Sequence, residues 1–304
     1  MTPKYYYDLN TYFRDLFGQR VHKITVDAGF NCPNRDGTIS TGGCIYCNDR
    51  GSGTGAYARG ISVREQLEVG KIKVAKRFKA KKFMAYFQSY SNTYASVDVL
   101  KKIYDEALSV PDVVGLTIGT RPDCVNEPIL DLLSYYARNH LIWLEYGLQS
   151  CHDDTLNGIN RGHDFECFKS ALNLTSNRNL KIGVHVILGL PGEDRDKILA
   201  TAKVVSHLGL DGIKLHLLYI VKGTRLHDLY IKGKYRCLKQ MEYVALACDF
   251  LERLPPKMVI HRLTGDPHPH ELVAPSWAMD KHGTLELIQK ELRLRDSFQG
   301  KYYL

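Results

Sequence analysis

The chain has 304 residues, 44% hydrophobic and 24% charged, with 41 Lys+Arg against 33 Asp+Glu for a net charge of +8. That length supports one large α/β domain with a small appendage, and the balance is that of a globular protein. No apolar run approaches the roughly 18 residues of a membrane span, and the N-terminal MTPKYYY has no apolar signal core, so a cytoplasmic protein with no membrane contact is expected. Eight cysteines without a secretion signal point to a reducing compartment and to metal or redox use. The basic excess is compatible with nucleic acid without requiring it.

Residues 5–18, YYYDLNTYFRDLFG, predict a short helix ending at Gly18, its rings serving packing. Val21–Asp27 alternates and is β-branched, which predicts a first strand. Directly after it, Cys32, Cys44 and Cys47 follow the pattern Cys-x11-Cys-x2-Cys, and the filler holds three Gly and one Pro, so the stretch is a loop. Such a loop can wrap thiolates around a metal. No His or fourth Cys closes a tetrahedral zinc site. An iron–sulfur cluster normally takes four protein ligands, and three would leave one iron open to a substrate or cofactor. Zinc and plain buried thiols are the other readings. The Gly-rich stretch 48–55 lacks the Lys-Ser/Thr of a P-loop and reads as a rim of the cysteine loop. Residues 62–82 predict a helix with a basic end, Lys71, Lys73, Lys76, Arg77, Lys79, Lys81 and Lys82. That end is either a solvated face or a phosphate-contact surface.

Strands are then predicted at 83–88, 113–119, 141–148, 182–188 and 212–218, alternating with helices near 97–109, 127–138, 164–178 and 194–207. Alternation of this kind means a parallel sheet, and in barrel-like α/β folds the chemistry gathers at the carboxyl ends of the strands. Each strand here ends in a polar or Gly-rich cluster: the cysteine loop, FQSYSNTY, GTRPDC, EYGLQS with INRGH, LGLPGE, and KLHLLYIVKGT. The last 80 residues change character. Helices are predicted at 226–232, 238–254 and 281–294, a strand at 258–262, and DPHPHELVAPSW reads as irregular. His261, His268 and His270 carry no metal spacing, and Cys124, Cys151, Cys167, Cys237 and Cys248 are scattered as packing residues.

The cysteine loop, with Tyr46 just before its last Cys, resembles the radical S-adenosylmethionine (SAM) superfamily. LTIGTRPD (116–123), LEYGLQS (144–150), INRGH (159–163), GVHVILGLPG (183–192) and KLHLLYIVKGT (214–224) resemble the branch that contains the catalytic subunit of Elongator, a tRNA wobble-uridine modifying enzyme. DAGFNCPNRDGT, YFQSYSNTYA and IHRLTGDPHPHELVAPSW resemble a short bacterial family within it, labelled YhcC or YtqA. Two departures stand out. With 304 residues the chain is expected to carry no acetyltransferase domain, and Gly119 stands where Elongator-type sequences tend to carry Glu.

The resemblance implies an incomplete (β/α)6 barrel over residues 1–235 with a C-terminal α/β extension, 236–304, closing one edge. It implies a [4Fe-4S] cluster on Cys32, Cys44 and Cys47, with SAM on its open iron. SAM would be held by Tyr46, Gln88, Asn92, Gln149 and Arg161, and its adenine by Ile187, Leu188 and Gly189. Arg161 suits a carboxylate, which guanidinium pairs with in two-pronged fashion. The cofactors would supply a radical that takes hydrogen from an unactivated carbon. His185, Lys214, His216 and Tyr219 are candidate catalytic groups near the substrate. The implied partners are tRNA and an electron donor such as flavodoxin or ferredoxin. The implied reaction is on the C5 side chain of a wobble uridine, one version being carboxymethylaminomethyl to aminomethyl. A small metabolite or peptide substrate is the runner-up. A zinc-dependent RNA-binding module without catalysis is the reading from another class.

Overall fold

The structure, a computed structural model, describes residues 5–49, 51 and 56–304; the rest of the Gly-rich rim at 48–55 lies outside the described residues. In chain order the elements are α1 (Leu9–Phe17), β1 (Val21–Val26), α2 (Val63–Phe78), β2 (Lys82–Phe87), α3 (Val97–Leu108), β3 (Val113–Thr120), α4 (Glu127–Tyr136), β4 (Leu141–Gln149), α5 (Asp153–Gly158) and α6 (Phe165–Thr175). They continue with β5 (Lys181–Leu188), α7 (Arg195–Ser206), β6 (Gly212–Leu217), β7 (Ile220–Val221), α8 (Arg225–Ile231), α9 (Gln240–Leu251), β8 (Val259–Arg262), β9 (Leu272–Ala274) and α10 (Lys281–Leu294). Local chemistry sets the ends. The Asp8 carboxylate accepts from Thr11 N and starts α1, which stops at left-handed Gly18. Ser62 and Glu65 form a capping box on α2.

Seven strands form one parallel sheet in the order β1-β2-β3-β4-β5-β6-β8, with α-helices connecting them, an open barrel of the expected kind. The expected six-strand sheet gains a seventh strand, because β8 pairs parallel with β6. The segment read as irregular also contains β9, antiparallel to β7. In parallel strands alternate side chains face opposite sides. One face packs on the helices and forms the main core, including Leu116, Ile118, Leu144, Tyr146, Val184 and Leu215. The other faces the barrel interior. Its base is plugged by Trp143, fully buried with Phe13, Val21, Met84 and Val259. Glycines make the room: a Cβ on Gly212 would meet Trp143 at 2.9 Å and His261 at 2.8 Å.

The sheet does not close. Its edges are β1 and β8, and the N-terminal segment straps the seam between them. Tyr7 O accepts from Ile260 N at 2.8 Å, and Gln299 joins the strap by accepting from Tyr7 N at 2.9 Å and donating to Tyr5 O at 2.8 Å.

The predicted helix over 62–82 ends earlier, because Lys79 is left-handed (φ 53°) and β2 begins at Lys82. Its basic end therefore sits where β2 starts, at the amino-terminal edge of the sheet, whereas the cysteine loop follows the carboxyl end of β1. At about 3.3 Å per residue, the length of β2 separates the two. Lys71 donates to Pro111 O and Lys82 lies over the Phe17 ring, while Lys73, Lys76, Arg77, Lys79 and Lys81 are exposed.

Removing the Trp143 plug leaves a cavity that the surrounding strands cannot collapse. Trp143→Ala is expected to cost about 3–5 kcal/mol, measured by chemical denaturation, with Trp143→Phe losing much less.

Candidate active site

Halfway up the barrel the interior is charged. Glu145, 1% exposed, comes from the centre of β4 and receives four side chains. Oε1 accepts from Lys23 Nζ at 2.9 Å and His261 Nδ1 at 2.9 Å; Oε2 accepts from Lys214 Nζ at 2.5 Å and His185 Nε2 at 3.1 Å. Lys214 also donates to Tyr86 Oη at 2.6 Å. Register explains the meeting: Gly119 pairs with Glu145, Glu145 with Gly183 and His185 with Lys214, while His261 faces inward two residues after Val259 of the interior base, and the bulge that follows pairs Arg262 with Lys214. The strand end that lacks a side chain at Gly119 thus has a carboxylate on its neighbour.

Burial alone would raise the Glu145 carboxyl, but the two ammonium groups and two imidazoles more than reverse this and hold it well below the usual carboxylate range. Burial pushes both imidazoles down, His185 to about 4 and His261 to about 3, so both are neutral near pH 7. Burial also pulls the Lys214 ammonium down to about 7, against the opposing pull of Glu145.

Above this layer lies a cavity of about 180 Å³, lined by Cys32, Cys44, Cys47, Tyr46, Gln88, Gly119, Gly147, Gln149, Arg161, His185 and His216. The cysteine loop is docked from two sides. Ile45 N donates to Ile159 O, Asn34 Nδ2 donates to Asn160 O at 2.7 Å, and Leu226 N donates to Ile45 O at 2.8 Å. Cys44 Sγ is approached by two N–H donors, Arg161 Nη1 at 3.7 Å and Asn34 Nδ2 at 3.8 Å. Burial pushes the Cys47 thiol up to about 12, with Cys44 adding to the effect. Gln149 sits at a bulge closing β4 with φ +79°, a conformation that costs a non-glycine residue about 1–3 kcal/mol. Its buried Oε1 has no hydrogen-bond partner among the described residues. Gly147 is required beside it, since a Cβ there would meet Arg161 Nη2 at 2.7 Å and Gln149 Nε2 at 2.8 Å.

A second cavity of about 510 Å³ shares Tyr46, Cys47, Gln88, Gln149, His185 and His216 with the first and extends to Ile187, Tyr219, Arg262 and the tail segment 266–272. The tail is tied to the cysteine loop by Asn48 Nδ2, which donates to Glu271 Oε2 at 2.9 Å. The tail that resembled the bacterial family is thus a wall of the site.

The structure brings Cys32, Cys44, Cys47, Tyr46, Gln88, Gln149, Arg161, Ile187, His185, His216 and Tyr219 to these two cavities, with Lys214 in the layer beneath. Three expected positions stand elsewhere. Asn92 is fully buried and braces β2 to β3, donating to Gly119 O at 2.7 Å. Leu188 faces the helices in the main core. The Gly189 carbonyl accepts from Tyr235 Oη at 2.8 Å. The Arg161 fork is held by Gly147 O, at 3.1 and 2.6 Å. The sequence reading missed Glu145, Lys23 and Arg262. It also missed Arg121, buried and paired two-pronged with Asp123 while donating to Arg161 O at 2.8 Å. A lone Glu inside the apolar run LIWLEYGL was the available signal.

Glu145→Gln strands two ammonium groups in the interior. A loss of about 3–5 kcal/mol in unfolding free energy at pH 7 is expected, measured by urea denaturation. A pH effect follows from the imidazoles. Their folded pKa values lie below the ordinary 6.5, so the unfolded chain binds more protons between about 4 and 6.5, and stability falls as pH drops through that window. The fall is expected to be shallower in His185→Gln, read from denaturation midpoints at pH 6.5 and 4.5.

The comparisons with known proteins agree with this geometry. Residues 34–205 match the model of the Radical SAM superfamily and residues 210–293 that of the Radical_SAM C-terminal domain. The chain is 42% identical to the uncharacterized protein YtqA of Bacillus subtilis over 302 residues, covering 99% of this chain and 94% of that one. It is 28% identical to human Elongator complex protein 3 over 178 residues, 57% of this chain and 32% of that one. The solved structure of Methanocaldococcus infernus Elp3 superposes with a TM-score of 0.68 at 16% identity, covering 92% of this chain and 64% of that one, and shares its fold. No helix among the described residues is long and apolar enough to cross a membrane. The chain therefore belongs to the radical SAM superfamily and is a radical SAM enzyme, with a [4Fe-4S] cluster and S-adenosyl-L-methionine as its cofactors.

Proposed function

We propose that this enzyme modifies tRNA, acting on the C5 side chain of a wobble uridine, with conversion of a carboxymethylaminomethyl to an aminomethyl group as the specific reaction. The observation that carries the reading is the larger cavity. At about 510 Å³ it continues directly from the cysteine-lined cavity and is in the range that holds drug-sized ligands, ample for a nucleoside. The relatedness to Elongator complex protein 3 and the net charge of +8 support it.

The residues present fit the cofactors. Three thiols converge on one cavity, glycines at 119 and 147 leave its floor open, and the orphaned Gln149 Oε1 offers an acceptor to an amino group. When bound, the cofactors supply one-electron reductive cleavage and a radical able to take hydrogen from an unactivated carbon. In this proposal Cys32, Cys44 and Cys47 hold the cluster, Arg161 and Asn34 steady the Cys44 sulfur, and Tyr46, Gln88, Gln149 and Ile187 contact SAM. His185 and His216 face the substrate, with Tyr219 on its far side. The division at 235/236 is also a proposal: residues 236–304 supply β8, His261, Arg262 and the 266–272 wall. Reduction would come from a flavodoxin- or ferredoxin-type donor in the cytoplasm.

Mass spectrometry of tRNA nucleosides from cells with and without the gene tests the reading. Loss of one C5-modified uridine and accumulation of its precursor is the expected outcome. The same loss is expected in cells carrying Cys44→Ala, whose purified protein lacks iron and visible absorbance, and not in cells carrying Cys248→Ala, a core position. An unchanged nucleoside profile would move the substrate to a metabolite or peptide.

A further inference from the structure

The charged layer does not balance. Lys214 is buried, Lys23 is largely so, and the two share the single carboxylate of Glu145, while His185 and His261 are neutral. When both lysines are protonated, one positive charge inside the barrel has no matching anion. Burying an ion is costly unless it is paired, and a second lysine is not needed to neutralise Glu145. The Lys23 ammonium carries three N–H donors. Lys23 Nζ gives one hydrogen to Glu145 Oε1, and the His261 nitrogen 3.3 Å away already donates to that carboxylate.

Both lysines open onto one space. A cleft of about 450 Å³ runs along the seam between β1 and β8, where no ladder joins the strands, and is lined by Lys23, Lys214, His261 and Arg262 from within and by Tyr6, Asp8, Leu9 and Asn10 at the N-terminal strap. The cleft's two carboxylates already have partners. Asp8 accepts from Thr11 N at 2.8 Å as the cap of α1, and Asp266 lies between Arg262 at 3.4 Å and Lys281 at 3.2 Å. Including Glu145, four cations (Lys23, Lys214, Arg262, Lys281) face three carboxylates, again an excess of one when all are charged; His22, His261, Tyr6 and Tyr86 complete the titratable lining.

We infer that the seam cleft is an anion subsite that holds a carboxylate of the substrate against Lys23, Lys214 and Arg262. The charge count selects the ligand class. With both lysines protonated, a monoanion neutralises the layer, whereas a phosphate dianion would invert it. A planar carboxylate also has two oxygens to share between ammonium groups on neighbouring edges of the seam, and Arg262 can take it two-pronged. The position suits the reaction, because Arg262 belongs to the seam cleft and to the large cavity alike, and Thr25 does too. A carboxylate bound at the seam would leave the atoms attached to it reaching toward the cysteine-lined cavity. This deepens the tRNA reading by naming the part of the substrate the chain grips. A free acid substrate would use the same subsite.

The test is an anion titration of the cofactor-loaded enzyme at constant ionic strength, with sodium acetate, succinate or inorganic phosphate replacing chloride, read as thermal midpoint and by calorimetry. Acetate and succinate are expected to bind saturably and to raise the midpoint above that in chloride. Lys23→Met and Arg262→Gln are each expected to weaken acetate at least tenfold with the iron content and SAM affinity unchanged; they stand in for Lys214→Met, which risks misfolding. Acetate indistinguishable from chloride, or acetate affinity unaltered in both variants, would overturn the subsite. Phosphate binding more tightly than acetate through the same residues would overturn the carboxylate assignment. Neither RNA nor turnover enters the titration, so its failure leaves the tRNA reading intact, and an unchanged nucleoside profile leaves the subsite intact. Tighter binding of a C5-carboxymethyl-bearing RNA oligonucleotide than of its uncarboxylated form, lost in Lys23→Met, would identify the substrate side chain as the source; tight binding of succinate with no such preference in RNA would identify a free acid.

Discussion

A single carboxylate organises the inside of this barrel. Glu145 draws Lys23 from β1, His185 from β5, Lys214 from β6 and His261 from β8, so four strands converge on one side chain. In a low-dielectric interior such a group cannot be left without a counter-charge, and the register of those strands is fixed accordingly: a one-residue slip in any would turn its contribution outward. The layer separates two environments. Below it Trp143 seals an apolar base, and above it thiols, amides and imidazoles line the working space.

The site is held as firmly as the layer beneath. The cysteine loop has little regular structure of its own, and its order comes from neighbours: the turn around Asn160, the start of α8, and Glu271 in the tail. Arg161 links thiol to strand by reaching both Cys44 Sγ and Gly147 O, and Arg121 holds Arg161 in turn. The backbone strain at Gln149 falls where the amide must be aimed.

Much of this could be read from sequence, for identifiable reasons. Parallel strands buried on both faces give apolar runs such as VHVIL, and helices between them carry caps and amphipathic spacing, so the β/α alternation and most boundaries follow from local rules. The cysteine spacing is equally local. What could not be read depends on register between distant strands. Glu145 appears as one acid in LIWLEYGL, Lys23 as one base in VHKITV, and nothing in either says that they touch. Asn92 braces the sheet instead of lining the cavities for a related reason: a polar residue in a polar loop can face the cavity or brace the sheet, and only packing decides. β8 was expected as a strand, but its joining β6 across 41 residues of intervening chain (218 to 258) has no local signature.

That late strand governs when the interior can form. β8 and the strap that covers the seam require chain from 259 onward, and Gln299 fastens Tyr5 and Tyr7 from the opposite terminus, a contact spanning 292 positions. A chain emerging from the ribosome can lay down β1 to β6 in succession, yet His261 is missing until the final fifth has been made, and Glu145 and its lysines stay wet until then. The ion layer is consequently a terminal event of synthesis. The nascent barrel passes through a long interval with its charged interior hydrated and its seam unlatched, and contacts of such high sequence separation close slowly. The interval is also when the cysteine loop is most accessible, because its tether to Glu271 has yet to be translated. The order of the polypeptide thus leaves the metal-binding thiols open until the last segment closes over them.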